Sequence, residues 1–197
     1  ISSISKTDIE FGKRFGYTLK LLAIGKRTHD NKIEVRVHPA FISNKHPLAA
    51  VKGSFNAVHI LGDNVGDIML YGRGAGDLPT GSAIVSDIVY AAQQRKHEYT
   101  SFRNTLSSPS KYFSKDFECE YYIRMTVKDL PGVIASVSSV FGRLKISINS
   151  IQQELMGDKA YVIFMLHKTH ESAVKKAMSQ IEKLSVVESV DSIIRVE

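Results

Sequence analysis

The sequence contains few of the residues that hold small chains together through covalent or metal bonds. Its 197 residues include one cysteine, five prolines and no tryptophan. A single cysteine excludes an intramolecular disulfide and any multi-cysteine zinc site within one chain. No run approaches 18 apolar residues, so no membrane-spanning helix is expected. The N-terminus also lacks a basic and apolar signal pattern. Together these absences predict a cytoplasmic protein.

The composition itself is that of an ordinary globular protein. Apolar residues make up 43% and charged residues 23%, which excludes a chain that is mainly disordered. The formal net charge is +6, and most of the surplus falls in residues 1–110. A basic surface can attract phosphate or nucleic acid. Lys and Arg are scattered here rather than clustered with aromatic residues, so we expect a solvated surface and no nucleic-acid partner.

The first half of the chain mixes helical and strand patterns. Thr7 and Glu10 have the spacing of a capping box, which predicts a helix over 8–15 that ends at Gly16. The second predicted strand alternates apolar and polar residues, which indicates a half-exposed strand, and Pro39 is expected to stop it. Strands are expected at four places, over 17–24, 33–37, 55–61 and 68–71, the last two joined by a hairpin turn.

A glycine-rich segment, Gly72-Arg73-Gly74-Ala75-Gly76, precedes a helix predicted to run from Pro79 to about Arg95. Glycine lets a backbone approach a ligand closely, and a helix N-terminus attracts a phosphate, a carboxylate or a carboxamide. The third glycine of a dinucleotide fingerprint would fall at position 77, which is Asp77. The segment is therefore not the main phosphate site of a nucleotide fold. A tight turn that needs glycine for packing alone is the alternative.

The second half of the chain has a cleaner pattern. Residues 97–118 are rich in Ser, Thr and Lys, which predicts a linker. Residues 119–197 predict the order β-α-β-β-α-β, the ferredoxin-like arrangement, with two helices on one face of a four-stranded antiparallel sheet. The other face would be open and partly apolar, so we expect it to pair with another subunit or domain. The turn Asp129-Leu130-Pro131-Gly132 is either a ligand site at a helix N-terminus or a plain βα turn capped by Asp129.

Candidate catalytic and metal-binding side chains are few. The seven histidines have no metal-ligand spacing. The serine-rich stretches lack the partner His and Asp of a hydrolytic triad. Cys119 opens an apolar strand and is expected to be a packed thiol rather than a nucleophile. The sequence therefore predicts no metal site in this chain.

Several short motifs occur in a fixed order. They are His46-Pro47-Leu48-Ala49, Gly53-Ser54-Phe55-Asn56-Ala57-Val58 and Gly72-Arg73-Gly74-Ala75-Gly76 with Pro79-Thr80. As a set they resemble the second part of the catalytic domain of homoserine dehydrogenase. Asp129-Leu130-Pro131-Gly132-Val133 and Ile151-Gln152-Gln153 resemble an ACT regulatory domain. The fold class is thus α/β followed by α+β. We expect a partial catalytic domain with a mixed sheet over 1–96, a linker over 97–118 and a βαββαβ ACT domain over 119–197.

The resemblance implies an NAD(P)-dependent oxidoreductase that interconverts L-aspartate 4-semialdehyde and L-homoserine on the pathway to threonine, methionine and isoleucine. In the family the NADP or NAD is bound mainly by an N-terminal Rossmann domain. The proton-donating lysine and the substrate-binding carboxylates also precede Ile1. We therefore expect a fragment with no catalytic residue of its own and no activity alone. The resemblance implies that Gly76, and more weakly Gly74, contacts the cofactor. Gly81 stands where the family usually has alanine.

The ACT resemblance implies a small amino-acid effector, for which threonine is the expected identity. Its predicted contacts are Asp129, Gly132, Val133, Asn149 and Ile151. The family also implies a dimer or tetramer that assembles through catalytic and ACT interfaces. The alternative is a standalone amino-acid-binding or dimerisation module without enzymatic activity. That alternative leaves the glycine-rich segment and its helix unexplained.

Overall fold

The computed structural model describes residues 4–28, 30–93 and 112–197. The chain divides into two compact units, one made of Ile1–Asn44 with Ser108–Glu197 and the other of Lys45–Ser107. The described helices are α1 (Lys6–Arg14), α2 (Asp77–Gln93), α3 (Val133–Arg143) and α4 (Glu171–Ile181). The described strands are β1 (Tyr17–Arg27), β2 (Ile33–Ser43), β3 (Phe55–Gly62), β4 (Gly66–Arg73), β5 (Glu118–Lys128), β6 (Ile148–Met156), β7 (Lys159–His170) and β8 (Val187–Val196).

The larger unit contains a six-stranded mixed sheet in the order β1-β2-β8-β5-β7-β6. Among the six described strands, β2 and β8 pair in parallel, through Ala40 and Phe41, and the other neighbouring strands pair antiparallel. The last four strands with α3 and α4 form the predicted βαββαβ arrangement. The predicted fold class is confirmed. The structure adds that β1 and β2, from the start of the chain, extend the sheet of this second segment.

One face of the sheet packs against α3 and α4. The alternating side chains Tyr121, Ile123, Met125 and Val127 of β5 all point to this face and are buried. The apolar stripe of α3 covers them, as its periodicity predicts. The buried residues of α3 are Val133, Val137, Val140 and Phe141. Cys119 belongs to the same cluster, so the expectation of a packed thiol is confirmed.

The opposite face of the sheet is covered in part by α1. Phe11 of α1 packs with Phe41 of β2 and Tyr122 of β5, and the last two rings meet edge to face at 5.2 Å. Gly12 permits the close approach, because a Cβ there would lie 2.6 Å from Cζ of Phe41. The face that was expected to pair with another domain or subunit is therefore partly covered by a helix of the same chain.

The capping box of α1 lies two residues earlier than predicted. Ser5, not Thr7, is the N-cap, and its hydroxyl accepts from the backbone N–H of Asp8 at 3.2 Å. Asp8 accepts in return from the backbone N–H of Ser5 at 2.9 Å. Both pairs have the required spacing of three residues. Burial decides between them, because Asp8 is fully buried against the sheet whereas Glu10 is exposed.

Pro39 does not stop the second strand, which was a wrong prediction. β2 continues from Ile33 to Ser43, and Pro39 pairs with Leu21 of β1. On its other side β2 pairs with β8 only at Ala40 and Phe41. Proline is tolerated where a strand lacks a full ladder on one side, so the missing N–H at this position breaks no complete pairing.

The first part of β2 has one exposed face and one buried face, as predicted, but the face that carries the polar side chains is the buried one. Glu34 and His38 are buried, whereas Val35 and Val37 are 61% and 72% exposed. Arg36 lies on the polar face and is ion-paired with Glu34 at 2.7 Å. Compensating charges make this burial tolerable. Alternation therefore identified the strand but not the face that packs.

The smaller unit contains a hairpin and a helix. β3 and β4 pair antiparallel from Phe55 with Arg73 to Gly62 with Gly66, as predicted. α2 follows with Pro79 in its first turn, also as predicted. No residue of α2 is buried by the part of the chain that the structure describes, and Leu78 is 87% exposed.

The predicted linker lies mostly outside the described residues. Its described end joins the larger unit, since Tyr112 accepts from the backbone N–H of Ile33 at 2.7 Å and Phe113 forms a parallel bridge with Ile33. The division into 1–96, 97–118 and 119–197 follows family resemblance. The spatial units are grouped differently, with residues 1–44 beside 108–197.

Candidate functional site

An open depression lies at the turn between β5 and α3. Its volume is about 570 Å³. It combines a carboxylate, an amide side chain and a helix N-terminus with apolar surface. The lining residues are Asp129, Leu130, Pro131, Gly132, Val133, Ile134, Ala135 and Gln153. Of the five predicted effector contacts, the structure thus brings together Asp129, Gly132 and Val133.

Gly132 shapes the floor of this depression. It is the N-cap of α3 with φ 86°, in the left-handed region where glycine is favoured. No side-chain hydrogen bond caps the helix, so Asp129 does not have the capping role considered for it in the plain-turn alternative. Asp129 instead accepts from Nε2 of Gln153 at 3.4 Å. The start of α3 therefore faces the depression without a side-chain cap, which suits an anionic group.

Gln153 was missed as a site residue, although it stands in the motif that carries the ACT resemblance. It lies on β6 and pairs with Val162 of β7. Asn149 and Ile151 do not line the depression. Asn149 is exposed at a register shift between β6 and β7, and Ile151 is 40% exposed. A bulge of this kind re-aims a side chain, which strict alternation along the strand could not predict.

The chemistry of the depression matches an amino acid in its zwitterionic form. The Asp129 carboxylate can accept hydrogen bonds from an ammonium group, and the N-terminus of α3 favours a carboxylate. Leu130, which is 54% exposed, supplies an apolar contact for a short side chain. Gln153 offers both a donor and an acceptor. No other lining side chain is a strong acid or base, so the arrangement is one for binding rather than for proton transfer.

The glycine-rich segment lies in the smaller unit, between β4 and α2. The backbone N–H of Gly74 donates to the carbonyl of Ser54 at 2.9 Å. A Cβ at Gly74 would lie 2.6 Å from Cγ of Asn56, so a side chain there would have to displace Asn56. Gly76 has φ 126°, a conformation that L side chains rarely adopt. Both backbones are exposed, and the geometry is compatible with either of the two roles considered for this segment.

A buried ionic network joins α1 to the sheet. Asp8 is fully buried and accepts from Nε of Arg124 at 2.7 Å, from Ser192 at 2.6 Å and from Tyr122 at 3.1 Å. Arg124 also donates to Asp191 at 2.8 Å. Burial opposes ionisation of Asp8, but these hydrogen bonds outweigh it and lower its pKa to about 2. The pKa of Tyr122 is raised by burial and by the Asp8 charge.

A second network lies under α4. Glu171 accepts from the Tyr121 hydroxyl at 2.7 Å and from both Nε and a terminal nitrogen of Arg195, at 3.0 and 2.5 Å. Burial raises the pKa of Glu171, but the bonds from Arg195 and Tyr121 produce a net lowering. Burial raises the pKa of the Cys119 thiol, so this group stays protonated at neutral pH. The described residues contain no group of three His, Cys, Asp or Glu side chains that could hold a metal ion.

Sequence reasoning missed both networks. Arg124 lies 116 residues from Asp8, and Tyr121 lies 50 residues from Glu171, and no local pattern relates such distant positions. The one usable signal was Arg124, a charged residue inside an apolar strand, where an unpaired charge would be costly. Among the described residues, no helix has the length and apolar character needed to cross a membrane.

The fold defines a class of protein in which an α/β segment is followed by a ferredoxin-like βαββαβ unit. Comparison with family models identifies two segments along the sequence. Residues 1–89 match the homoserine dehydrogenase family and residues 121–186 match the ACT domain. The resemblance to homoserine dehydrogenase with an ACT domain, found in the sequence, is confirmed.

Curated relatives match this chain over its whole length. A homoserine dehydrogenase of Helicobacter pylori is 38% identical over 199 residues and one of Bacillus subtilis is 36% identical over 207, and both cover 100% of the chain. The aligned parts are 47% and 46% of those proteins. The chain therefore spans about half the length of the curated relatives that it matches.

Solved structures give the same result for the fold. A homoserine dehydrogenase from Thiobacillus denitrificans superposes with a TM-score of 0.81 at 32% identity, covering 100% of this chain and 46% of that one. A homoserine dehydrogenase of S. aureus superposes with a TM-score of 0.59 at 27% identity and covers 97% of this chain. The arrangement of the described elements is thus one that solved homoserine dehydrogenases share.

Proposed function

We propose that the protein containing this chain is an NAD(P)-dependent homoserine dehydrogenase that interconverts L-aspartate 4-semialdehyde and L-homoserine. The observation that carries the proposal is the full-length match of this chain to homoserine dehydrogenases from several bacteria. The reaction would serve threonine, methionine and isoleucine synthesis in the cytoplasm. The nicotinamide supplies or accepts the hydride.

The part of this chain in that reaction is to complete the cofactor site rather than to move protons. Gly76, at the start of α2, has an exposed backbone with no Cβ between it and solvent. That backbone would contact the cofactor, with Gly74 as a weaker neighbour. The catalytic side chains would be contributed by segments outside these 197 residues. The chain alone is therefore inactive on this proposal, and the cofactor of the complete enzyme is NADP or NAD.

An activity assay of the 197-residue chain tests whether the catalytic side chains lie outside it. With homoserine and either NADP or NAD, no absorbance change at 340 nm is expected above a no-protein blank. Turnover by the purified chain contradicts the proposal. In the complete enzyme, Gly76→Ala is expected to raise KM for the cofactor because the left-handed φ at this position resists a side chain. Gly81→Ala in the same helix, where a Cβ meets nothing within 4 Å, is the matched control.

For the ACT segment we propose binding of a small amino acid, with threonine as the expected effector. The depression at the β5–α3 turn supports this, because it combines the Asp129 carboxylate with an N-terminus that lacks a side-chain cap. The amino acid's ammonium would bind Asp129 and its carboxylate the backbone at Gly132 and Val133. Gln153 would bind the side-chain hydroxyl of threonine. Asn149 and Ile151 stay proposed contacts that a second ACT domain would bring to the ligand.

Calorimetry with threonine, methionine, isoleucine and lysine tests the binding. Heat of binding is expected with threonine, and Asp129→Asn is expected to weaken affinity by about tenfold, since a charge-assisted hydrogen bond is lost. Asp158→Asn removes the same charge from the neighbouring hairpin without lining the depression, and should bind as the parent does. If none of the four amino acids binds, the effector proposal is wrong.

The second candidate function is a standalone amino-acid-binding or dimerisation module. The observation that favours it is that the depression and its sheet lie wholly within the larger unit. We propose instead that the chain belongs to a homo-oligomer, a dimer or tetramer, with catalytic and ACT interfaces. Sedimentation of the complete enzyme as a monomer at micromolar concentration would contradict that assembly.

A further inference from the structure

The effector depression and α1 lie on opposite faces of one strand. On β6, Gln153 pairs with Val162, which belongs to the core under α3 and α4, so Gln153 faces the depression. The next residue, Glu154, pairs with Tyr161, which packs against the α1 cluster. Successive side chains of a strand point to opposite faces. The Glu154 carboxylate accordingly forms an ion pair with Arg14, the last residue of α1.

A second strand makes the same connection. β5 ends at Lys128, and Asp129 of the depression follows it directly. On the α1 face of β5, Arg124 binds the buried Asp8 at 2.7 Å. The Arg124 guanidinium also lies over the ring of Tyr161, 4.9 Å from its centroid. A continuous series of contacts therefore runs from Asp8 through Arg124 and Tyr161 toward Glu154. At one end Asp8 belongs to α1, and at the other Glu154 is ion-paired with Arg14 of α1.

We infer that α1 senses whether the depression is occupied. This inference rests on the proposed amino-acid binding. The hydrogen bond from Gln153 to Asp129 is long at 3.4 Å, so a ligand that takes either group can break it at low cost. Gln153 of β6 reaches Asp129 at the end of β5 across the intervening strand β7. Loss of that bond releases this end of β6, and the pairs Glu154–Arg14 and Arg124–Asp8 transmit the change to α1. α1 falls within residues 1–89, the homoserine dehydrogenase match.

Hydrogen–deuterium exchange in the 197-residue chain tests this. Saturating threonine is expected to change the exchange rate of α1 amides by about fivefold or more, the lower end of measured couplings between sites. Glu154→Gln is expected to bind threonine as tightly as the parent but to lose the response in α1. Arg14 and Glu154 are both half-exposed, so the variant should fold normally. Glu10→Gln, which removes an exposed ion pair on the same helix, should keep the response.

A charge swap adds a rescue. Arg14→Glu alone should abolish the α1 response, and the double variant Arg14→Glu with Glu154→Arg should restore it. Threonine binding without any change in α1 exchange overturns the inference and leaves the proposed binding intact. A response that survives in Glu154→Gln also overturns it. Absence of threonine binding overturns the proposed function, and the inference falls with it.

Discussion

α1 and α2 belong to the same family segment but differ in what they bury. α1 has nine residues and buries Asp8, Phe11 and Gly12. α2 has 17 residues and, among those that the structure describes, buries none. The longer helix has the larger apolar surface, with Leu78, Ile84 and Ile88 exposed. The length and the apolar pattern of a helix therefore do not decide whether its side chains are buried.

The two helices differ because α1 has a surface of the same unit to pack against. α1 packs on strands that come from the ACT segment, and its Asp8 is bound by residues of β5 and β8. The larger unit is thus built from both family segments, 1–44 and 108–197. Its sheet and its ionic network cross the boundary that family resemblance draws. We expect these two segments to fold as one cooperative unit.

The largest expected effect comes from Asp8. Asp8→Asn leaves Arg124 buried without its main counter-charge, and breaking a buried ion pair in this way costs about 3–5 kcal/mol of unfolding free energy. Urea denaturation followed by circular dichroism measures it. Glu10→Gln on the exposed side of α1 is the control and should leave the midpoint unchanged. Equal midpoints for the two variants would show that the network is not important for stability.

Phe11 and Leu78 compare the two helices directly. Phe11 is 2% exposed and Leu78 is 87% exposed. Phe11→Ala should cost about 3 kcal/mol, since it removes a buried ring and leaves a cavity. Leu78→Ala should change the unfolding free energy by no more than about 0.5 kcal/mol in this chain. A loss at Leu78 as large as that at Phe11 would mean that α2 is packed as firmly as α1.

Acid should weaken the larger unit through Asp8. Its pKa is about 2 in the folded chain, below the ordinary value near 3.9, so its stabilisation is complete above pH 4. It is lost as the pH falls from about 4 through 2, and amounts to about 2 kcal/mol. The difference in unfolding free energy between the parent and Asp8→Asn should therefore shrink across this range. Urea titrations at pH 6, 4 and 2.5 measure it, and a constant difference would contradict the assignment.

Replacing two glycines by alanine should change stability by smaller amounts, with opposite signs at the two positions. Gly12→Ala should cost about 1–3 kcal/mol, because the new methyl group would overlap Phe41. Gly81→Ala, in α2, meets nothing within 4 Å and should stabilise α2 by about 0.5–1 kcal/mol through helix propensity. Urea denaturation measures the first change, and exchange of α2 amides measures the second. A change in stability of the same sign at both positions would contradict the expected difference between α1 and α2.

Local signals predicted most of the fold. The alternation of apolar residues located β5, and the helical spacing of apolar residues located α3. The turn over 62–66 located the β3–β4 hairpin. Helix-end chemistry indicated either a ligand site or a plain βα turn at Asp129–Gly132, and the structure forms a depression there. Long-range pairing could not be predicted. Nothing near Asp8 indicates Arg124, and nothing in β2 indicates that its charged face is the buried one.

Native-state hydrogen exchange in increasing denaturant tests the cooperative folding of these two segments most directly. If the two segments form one cooperative unit, the slowest amides of β2 and β5 exchange with the same opening free energy. Asp8→Asn should then lower both values equally. A β2 opening free energy well below that of β5, with Asp8→Asn affecting β2 alone, would contradict the account.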